Sequence, residues 1–178
     1  MSCTTINGCA IATAPNNLEV FYEQVRRHYD SLACAYRTLW GEHLHHGLFP
    51  NGDESPQQAQ MLLVDYCLSL LPITNCRVLD VGCGFGATSV LLAERYGCEV
   101  TGITISRCQA EHAARVAGKK RLGGRAAFVV ANVEQFTYPE EYFDLVWTVY
   151  LKPTQVSRLC CRKVLVASTI FKSRAPAR

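Results

Sequence analysis

The sequence predicts an α/β protein with a doubly wound parallel sheet, and three observations lead to that prediction. Short apolar segments alternate with amphipathic helical segments from Arg77 onward. The connections between them are short, as in successive β-α-β units. A glycine-rich turn at residues 82–86 follows the first strand and precedes a helix. The chain has 178 residues, 49% of them apolar, which is enough for one packed core.

The N-terminal third of the chain is predicted to be helical. Residues 1–17 lack acidic residues and are rich in Ser, Thr, Asn and Ala, so we expect a flexible leader there. Residues 18–72 form the predicted N-terminal helical lid. Apolar residues recur at helical spacing up to Trp40, as one or two helices, and a polar connector rich in Gly and Pro follows. A second helix begins at Ser55, with Pro56 in its first turn, and ends before Pro72.

Four strands and two helices are predicted to build the core, residues 73–149. Continuous apolar strands are expected when both faces of a sheet are buried. Ser106 has the side chain of a helix N-cap, and Gly97 lies where a helix ends. The predicted strands are Arg77–Val81, Glu99–Ile105, Ala126–Ala131 and Tyr142–Val149, and the predicted helices are Thr88–Tyr96 and Ser106–Val116.

Composition limits the classes of partner. A net charge of +3, from 18 basic and 15 acidic residues, is too small and too scattered for a nucleic-acid footprint. No apolar run approaches the roughly 20 residues of a membrane helix, so we expect no integral membrane segment. The ten cysteines have irregular spacings without a CxxC pair. Reduced cysteines in a cytoplasmic protein explain them best, and a disulfide framework or a zinc site is the alternative.

The loop Asp80–Ala87 carries the strongest chemical signal. Glycines after a buried strand let a ligand lie against the backbone, beside the positive end of the next helix. The loop is read either as GxGxG or as GxGxxA, and the second pattern also suits a dinucleotide. No acid occupies the end of the second strand, where a dinucleotide site holds its ribose, but this absence alone does not choose between the possible cofactors. Asp80 beside the glycines favours the cationic amino-acid end of S-adenosylmethionine.

Further motifs make a family resemblance visible. VLDVGCGFG at residues 78–86, VTGITIS at 100–106 and FDLVW at 143–147 resemble class I S-adenosylmethionine-dependent methyltransferases. Trp40 followed by HLHHG at residues 43–47 resembles the γ-tocopherol methyltransferase-like group, related to cyclopropane-fatty-acid and sterol methyltransferases. The resemblance covers about residues 20–148. It implies a Rossmann-like core that binds S-adenosyl-L-methionine beneath the helical lid.

The resemblance also assigns roles by position. It places glycines of the loop at the methionine part of the cofactor, with an acid behind them, and residues after the second strand at the ribose. It puts Asn132 where the family usually has an acid for the adenine amino group; the amide oxygen can still accept that bond. Two lid aromatics would close the site. The implied cofactor-binding residues are Tyr29, Trp40, Asp80, Gly82, Gly84, Gly86, Thr104, Ile105, Gln109, Asn132, Val133 and Glu134.

The predicted reaction is transfer of a methyl group to a small, fairly apolar acceptor by in-line displacement. The acceptor could be an aromatic carbon, a phenol, an amine or an isoprenoid. His45 or His46 is the candidate base if one is required. We expect no metal, because histidines at i, i+2 and i+3 in a Gly-rich connector do not match zinc spacing. A truncated, catalytically impaired cofactor-binding fragment is the alternative, and an NAD-type dinucleotide-binding protein is a weaker one.

The family pattern stops after Val149. Residues 150–178 are predicted to be a divergent tail, with strand-like character only at Lys163–Phe171. We therefore expect the sheet to be incomplete at its C-terminal edge. An unpaired edge can associate with another chain, so an oligomer formed through this edge is a further expectation.

Overall fold

Five parallel strands form the central sheet of the computed structural model, which describes residues 4–6, 9–11, 17–139, 141–149 and 164–166. The elements are β1 (Thr4–Ile6), β2 (Cys9–Ile11), α1 (Asn17–Trp40), α2 (Pro56–Ser69), β3 (Arg77–Val81), α3 (Ala87–Tyr96), β4 (Glu99–Thr104), α4 (Arg107–Lys119), β5 (Ala126–Val130), β6 (Leu145–Thr148) and β7 (Val164–Val166). The strand order is β5-β4-β3-β6-β7, which confirms the predicted doubly wound sheet.

The strand order creates a crevice beside β3. From β3 the chain moves outward through β4 to β5, and it then returns to place β6 on the other side of β3. Ligands of open α/β sheets bind at such a switch point, outside the carboxyl ends of the strands. The fold therefore places the glycine-rich loop at this crevice, since that loop follows β3.

The core lies on both faces of β3 and its neighbours. Val78 and Leu79 are fully buried, and Trp147 in β6 is 1% exposed. The helices α2 and α3 cover one face with Leu63, Leu92 and other apolar residues. Burying each such side chain contributes about 1.5–3 kcal/mol, so the continuous apolar strands are the main source of stability.

Most predicted boundaries agree with the structure to within a few residues. The segment Asn17–Trp40 is a single helix of 24 residues. Helix α2 begins with a capping box in which Ser55 and Gln58 bond reciprocally. Ser106 caps α4, as predicted, and that helix continues three residues past Val116 to Lys119. Strand β6 is shorter than the predicted Tyr142–Val149, because a bend at residue 144 precedes it and another at residue 149 follows it.

The two chain ends differ from simple expectations. Within the predicted flexible leader, β1 and β2 pair as an antiparallel hairpin, so those six residues have regular structure. The sequence between them is Asn-Gly, the dipeptide that most favours a two-residue hairpin turn, and it was the missed signal. Strand β7 lies inside the predicted strand 163–171 and pairs in parallel with β6. The rest of the predicted tail lies outside the described residues.

Within the described ranges, no helix combines the length and hydropathy that a membrane span requires. Cys67, Cys76, Cys83, Cys98 and Cys108 are free thiols, three of them buried. Cys67, Cys83 and Cys98 thus pack as small apolar side chains.

Candidate cofactor and acceptor site

A cavity of about 570 Å³ lies at the carboxyl ends of β3, β4 and β6, beneath α1 and the segment that follows it. Its size is within the usual range for a small-molecule site. The structure brings most of the sequence-predicted residues to its wall. Those that line it are Tyr29, Trp40, His45, Asp80, Gly82, Gly84, Thr104, Ile105, Gln109, Asn132 and Val133.

Asp80 is the acid that β3 contributes to this wall. It is 3% exposed, and one of its carboxylate oxygens, Oδ2, accepts a hydrogen bond from Ser89 Oγ at 2.6 Å. No described residue hydrogen-bonds its other oxygen, Oδ1. Among the described residues, every side-chain oxygen that is inaccessible to solvent has a hydrogen-bond partner, so Oδ1 must be accessible. Oδ1 therefore faces the open space of the cavity. Burial raises the pKa of Asp80 to about 6, with the Ser89 bond acting in the opposite direction.

The three loop glycines have different reasons to be glycine. Gly82 and Gly84 have positive φ angles of 75° and 55° and line the cavity. A Cβ at Gly82 would meet nothing within 4 Å, so packing does not exclude a side chain there. Gly86 does not line the cavity. A Cβ at Gly86 would lie 2.6 Å from the Ala113 Cβ and 2.8 Å from a Phe128 ring carbon. This glycine therefore allows the start of α3 to pack closely against α4 and β5.

Thr104 and Gln109 form a polar pair at the end of β4. Thr104 Oγ1 donates a hydrogen bond to Gln109 Oε1 at 2.8 Å, and both side chains are buried. The backbone N–H of Gln109 also bonds Ser106 Oγ at 3.2 Å, which fixes the start of α4. Because Oε1 is engaged, the amide Nε2 of Gln109 is the group left to donate into the cavity.

The segment after β5 contributes two of its three predicted residues. Asn132 and Val133 line the cavity, whereas Glu134 is exposed and outside it. Asn132 Oδ1 accepts the backbone N–H of Glu134 at 3.0 Å. The Glu134 carboxylate lies near Tyr22 of the lid, and burial together with that carboxylate raises the pKa of Tyr22.

The histidine block is arranged differently from the sequence prediction. His45 is 6% exposed and lines the cavity, but His46 is exposed and does not. His43, which was not among the predicted site residues, lines the cavity and contacts His45, with ring centroids 5.0 Å apart. The local spacing gives no signal for this pair, because Leu44 between the two histidines lines the cavity as well.

Other lining residues were also missed by the sequence analysis. Phe21, Tyr22, Val25 and Tyr36 of α1 join Tyr29 in an apolar wall opposite the sheet. They looked like ordinary core residues, because helical spacing alone does not show which groove a helix covers. Among the described lining residues, Glu42 and Asp80 are the acids, and no Lys or Arg is present.

The described residues show no cluster of three or more His, Cys, Asp or Glu side chains arranged to hold a metal ion. The contact between His43 and His45 is a pair without a third ligand. The sheet, the glycine-rich loop, the acid in β3 and the cavity together define an α/β domain that is suited to a nucleotide-like cofactor and a small acceptor.

Comparisons with known proteins find similarity to methyltransferases. Residues 78–165 match a methyltransferase domain. The chain is 31% identical to tocopherol O-methyltransferase of Arabidopsis thaliana, over 79% of this chain and 44% of the relative. It is 35% identical to 27-O-demethylrifamycin SV methyltransferase of Amycolatopsis mediterranei, over 71% of this chain and 47% of the relative. The chain thus spans less than half the length of these curated relatives.

Solved structures of similar fold are found among the same kinds of protein and their relatives. The (4+2)-cyclase SpnF superposes with a TM-score of 0.68 at 32% identity, over 73% of this chain and 49% of that one. Mycolic acid cyclopropane synthase CmaA1, solved with S-adenosylhomocysteine, gives a TM-score of 0.64 at 28% identity, over 72% of this chain and 45% of that one. Residues 78–165 thus form a methyltransferase domain, and the chain is similar to class I S-adenosylmethionine-dependent methyltransferases of the tocopherol methyltransferase-like group.

Proposed function

We propose that this protein transfers a methyl group from S-adenosylmethionine to a small, uncharged and largely apolar acceptor. One observation carries the proposal: the free Oδ1 of Asp80 and the open glycines 82 and 84 face the same cavity as the aromatic lid and His43. A cofactor wall and an acceptor wall therefore share one space. Methyl transfer depends mainly on such juxtaposition, since it requires little covalent machinery from the protein.

The residues present fit the proposed cofactor. Oδ1 of Asp80 is placed to accept from a ligand ammonium group, and Gly82 and Gly84 leave space beside the backbone where a Cβ would intrude. The buried pair Thr104 and Gln109 offers an amide donor for ribose hydroxyls. When bound, S-adenosylmethionine supplies an electrophilic methyl group on a sulfonium.

The acceptor's character follows from the remaining wall. Aromatic side chains of α1, with Trp40 at its end, provide an apolar surface. The acceptor proposed here carries no phosphate, because the described lining lacks the Lys or Arg that binds one. Geranyl diphosphate C-methyltransferase of Streptomyces coelicolor A3(2) shares the fold at 18% identity and a TM-score of 0.64, over 80% of this chain and 60% of that one, and its named substrate does carry phosphate.

Calorimetric titration with S-adenosylmethionine and S-adenosylhomocysteine tests the cofactor step. We expect binding by the wild-type protein and a loss of about tenfold or more in Asp80→Asn, which removes a charge-assisted bond. Asp65→Asn is the matched control, because Asp65 is an exposed carboxylate of α2 that does not line the cavity. A normally folded wild-type protein that binds neither ligand below millimolar would refute the proposal.

Turnover with a labelled methyl donor then separates the alternatives. Methylation of members of an acceptor panel supports an enzyme, whereas cofactor binding without methylation of any acceptor supports a cofactor-binding fragment. Preferential binding of NAD in a competition supports the dinucleotide alternative. Cytoplasmic location and association through a sheet edge stay predictions; Val129 and Val130 on the outer strand β5 are 40% and 42% exposed.

A further inference from the structure

We infer that His43 is the general base of this site, that it accepts the proton of a hydroxyl group on the acceptor, and that His45 is its positioning residue. The inference rests on the proposed methyl transfer and adds the acceptor class, a molecule methylated on oxygen. It replaces the sequence-based candidates His45 and His46 with a histidine that the sequence analysis left out.

The hydrogen bonds around His45 fix its protonation pattern. His45 Nδ1 lies 2.8 Å from the backbone carbonyl oxygen of residue 46. A carbonyl oxygen only accepts, so Nδ1 of the neutral ring must carry the proton. The other ring nitrogen, Nε2, then has the lone pair and can only accept.

That pattern determines the state of His43. His45 Nε2 lies 3.2 Å from His43 Nδ1, so Nδ1 of His43 must donate the hydrogen bond. The neutral His43 ring is left with a lone pair on Nε2. No described residue hydrogen-bonds Nε2. Among the described residues, every side-chain nitrogen that is inaccessible to solvent has a hydrogen-bond partner, so Nε2 must be accessible. The lone pair is therefore open to the cavity that His43 lines.

The side chain of Gln60 holds the backbone of both histidines in this arrangement. Gln60, a buried residue of α2, donates from Nε2 to the carbonyl oxygens of His43 at 2.8 Å and of His45 at 3.0 Å. One side chain thus fixes the backbone on both sides of residue 44. The relay from His43 through His45 to a carbonyl resembles the way a third group orients the base in hydrolytic triads.

Burial keeps His43 in its neutral form, in which Nε2 can accept a proton. Burial, followed by the neighbouring His45, lowers the pKa of His43 to about 4, so the ring is neutral at pH 7. Burial also lowers the pKa of His45. Of the acids that line the cavity, Glu42 bonds His112 at 3.1 Å and Asp80 is committed to the cofactor end.

The chemical step balances with these groups alone and the two substrates. As the acceptor oxygen bonds the methyl carbon, the carbon–sulfur bond breaks and its electron pair stays on sulfur. The hydroxyl proton moves to His43 Nε2, and the imidazolium is stabilised by its Nδ1–H bond to His45. Water removes that proton after the product leaves. An acceptor methylated on carbon without a hydroxyl group would not use this proton path.

The His43→Asn variant tests the role of Nε2 as the general base most directly. The asparagine amide nitrogen reaches the position of Nδ1 and preserves the donor to His45, while the basic Nε2 is removed. The probes are hydroquinone and 4-methoxyphenol, both un-ionised phenols at pH 7, with a labelled methyl donor. We expect kcat to fall by about 100-fold or more, with the Kd for S-adenosylhomocysteine changed by less than about threefold. His46→Asn is the control, because the His46 side chain is exposed and does not line the cavity, and the variant keeps the backbone carbonyl that His45 bonds.

Nitrogen-15 NMR of the histidine rings provides a readout that needs no cofactor, turnover or variant. We expect Nδ1–H tautomers for both His43 and His45, and movement of the His43 Nε2 resonance when 4-methoxyphenol is added. A proton on His43 Nε2 in the wild-type protein would overturn the inference. So would full kcat in a folded His43→Asn variant, or cofactor binding without methylation of either phenol. Absence of any S-adenosylhomocysteine binding would instead refute the proposed function, and NMR would still decide the histidine relay.

Discussion

The Asp30 carboxylate in α1 accepts a 2.6 Å hydrogen bond from Ser106 Oγ, the residue that caps α4. The same oxygen, Oδ1, accepts the backbone N–H of Cys108 at 3.3 Å. A negative charge at the N-terminus of a helix is stabilised by the helix dipole. Asp30 therefore joins the lid to the segment between β4 and α4, which carries Thr104 and Gln109 into the cavity.

Removing this carboxylate should weaken both the fold and the site. We expect Asp30→Ala to cost about 1–2 kcal/mol of unfolding free energy, the usual range for a lost helix cap with charge-assisted bonds. Urea denaturation measures the change. A double-mutant cycle with Ser106→Ala isolates the pair, and strict additivity of the two single variants would show that the contact carries no energy.

Asp80 makes cofactor affinity depend on pH. Its pKa is raised from 3.8 to about 6 by burial, so the carboxylate is mostly protonated at pH 5 and mostly ionised at pH 7. A cationic ligand prefers the ionised form, so we expect affinity for S-adenosylmethionine to rise about tenfold from pH 5 to pH 7. Calorimetry at several pH values checks this. An equally steep rise in Asp80→Asn would assign the effect to another group.

The raised pKa of Asp80 also predicts how the stability of the cofactor-free protein changes with pH. The folded state holds its proton on Asp80 to higher pH than the unfolded chain does. Between about pH 4 and pH 6 the folded state thus binds more protons, and stability falls as pH rises, by about 3 kcal/mol at most for this group. Chemical denaturation across this range should show a shallower fall in Asp80→Asn than in the wild-type protein.

Two glycines of one loop should respond differently to alanine. Gly86→Ala places a Cβ 2.6 Å from Ala113 at a φ of 80°, so we expect at least 2 kcal/mol of destabilisation. Gly82→Ala meets no neighbouring atom and adds only the cost of its φ of 75°, about 1 kcal/mol. It should fold but lose cofactor affinity, because its methyl group intrudes into the cavity. Thermal melts and calorimetry distinguish the two; a Gly82→Ala variant with wild-type affinity would contradict this assignment.

The sheet could be predicted because both of its signals are local. Continuous apolar strands and the glycines after β3 indicate the fold, and Asp80 with its glycines predicts the end of the cavity that we propose for the cofactor. The histidine pair could not be predicted in the same way. Which of three neighbouring histidines faces the cavity depends on how Gln60, 15 to 17 positions away, holds the connector, and that contact leaves no periodic mark in the sequence.

The thiols of Cys67, which is buried, and Cys76, which is half-buried, should react slowly in the folded protein. Burial raises the pKa of Cys67 to about 11, and burial together with Cys98 raises that of Cys76 to about 12. Since only the thiolate alkylates, we expect iodoacetamide at pH 8 to label both residues more than about 100-fold slower than in the denatured chain. Peptide mass spectrometry measures the rates. Fast labelling, or a disulfide between Cys76 and Cys98, whose sulfurs lie 3.5 Å apart, would contradict the expectation.

Gln60 is the most informative position for testing how the lid supports the site. Its side chain is 3% exposed and donates to the carbonyl oxygens of His43 and His45. Gln60→Leu keeps a similar volume but leaves two carbonyls without that donor, which should cost about 1–3 kcal/mol. Gln60→Glu is a second test, because a protonated carboxyl group provides one donor in place of two.

If the connector is held as described, Gln60→Leu should lower kcat more than it weakens cofactor binding, since the cofactor wall is formed by β3 and β4. Measuring kcat beside the Kd for S-adenosylhomocysteine separates these effects. A variant that loses both equally would show a general loss of folding instead. A fall in kcat alone means that the position of His43 relative to the cavity, and not the presence of the ring itself, limits the reaction.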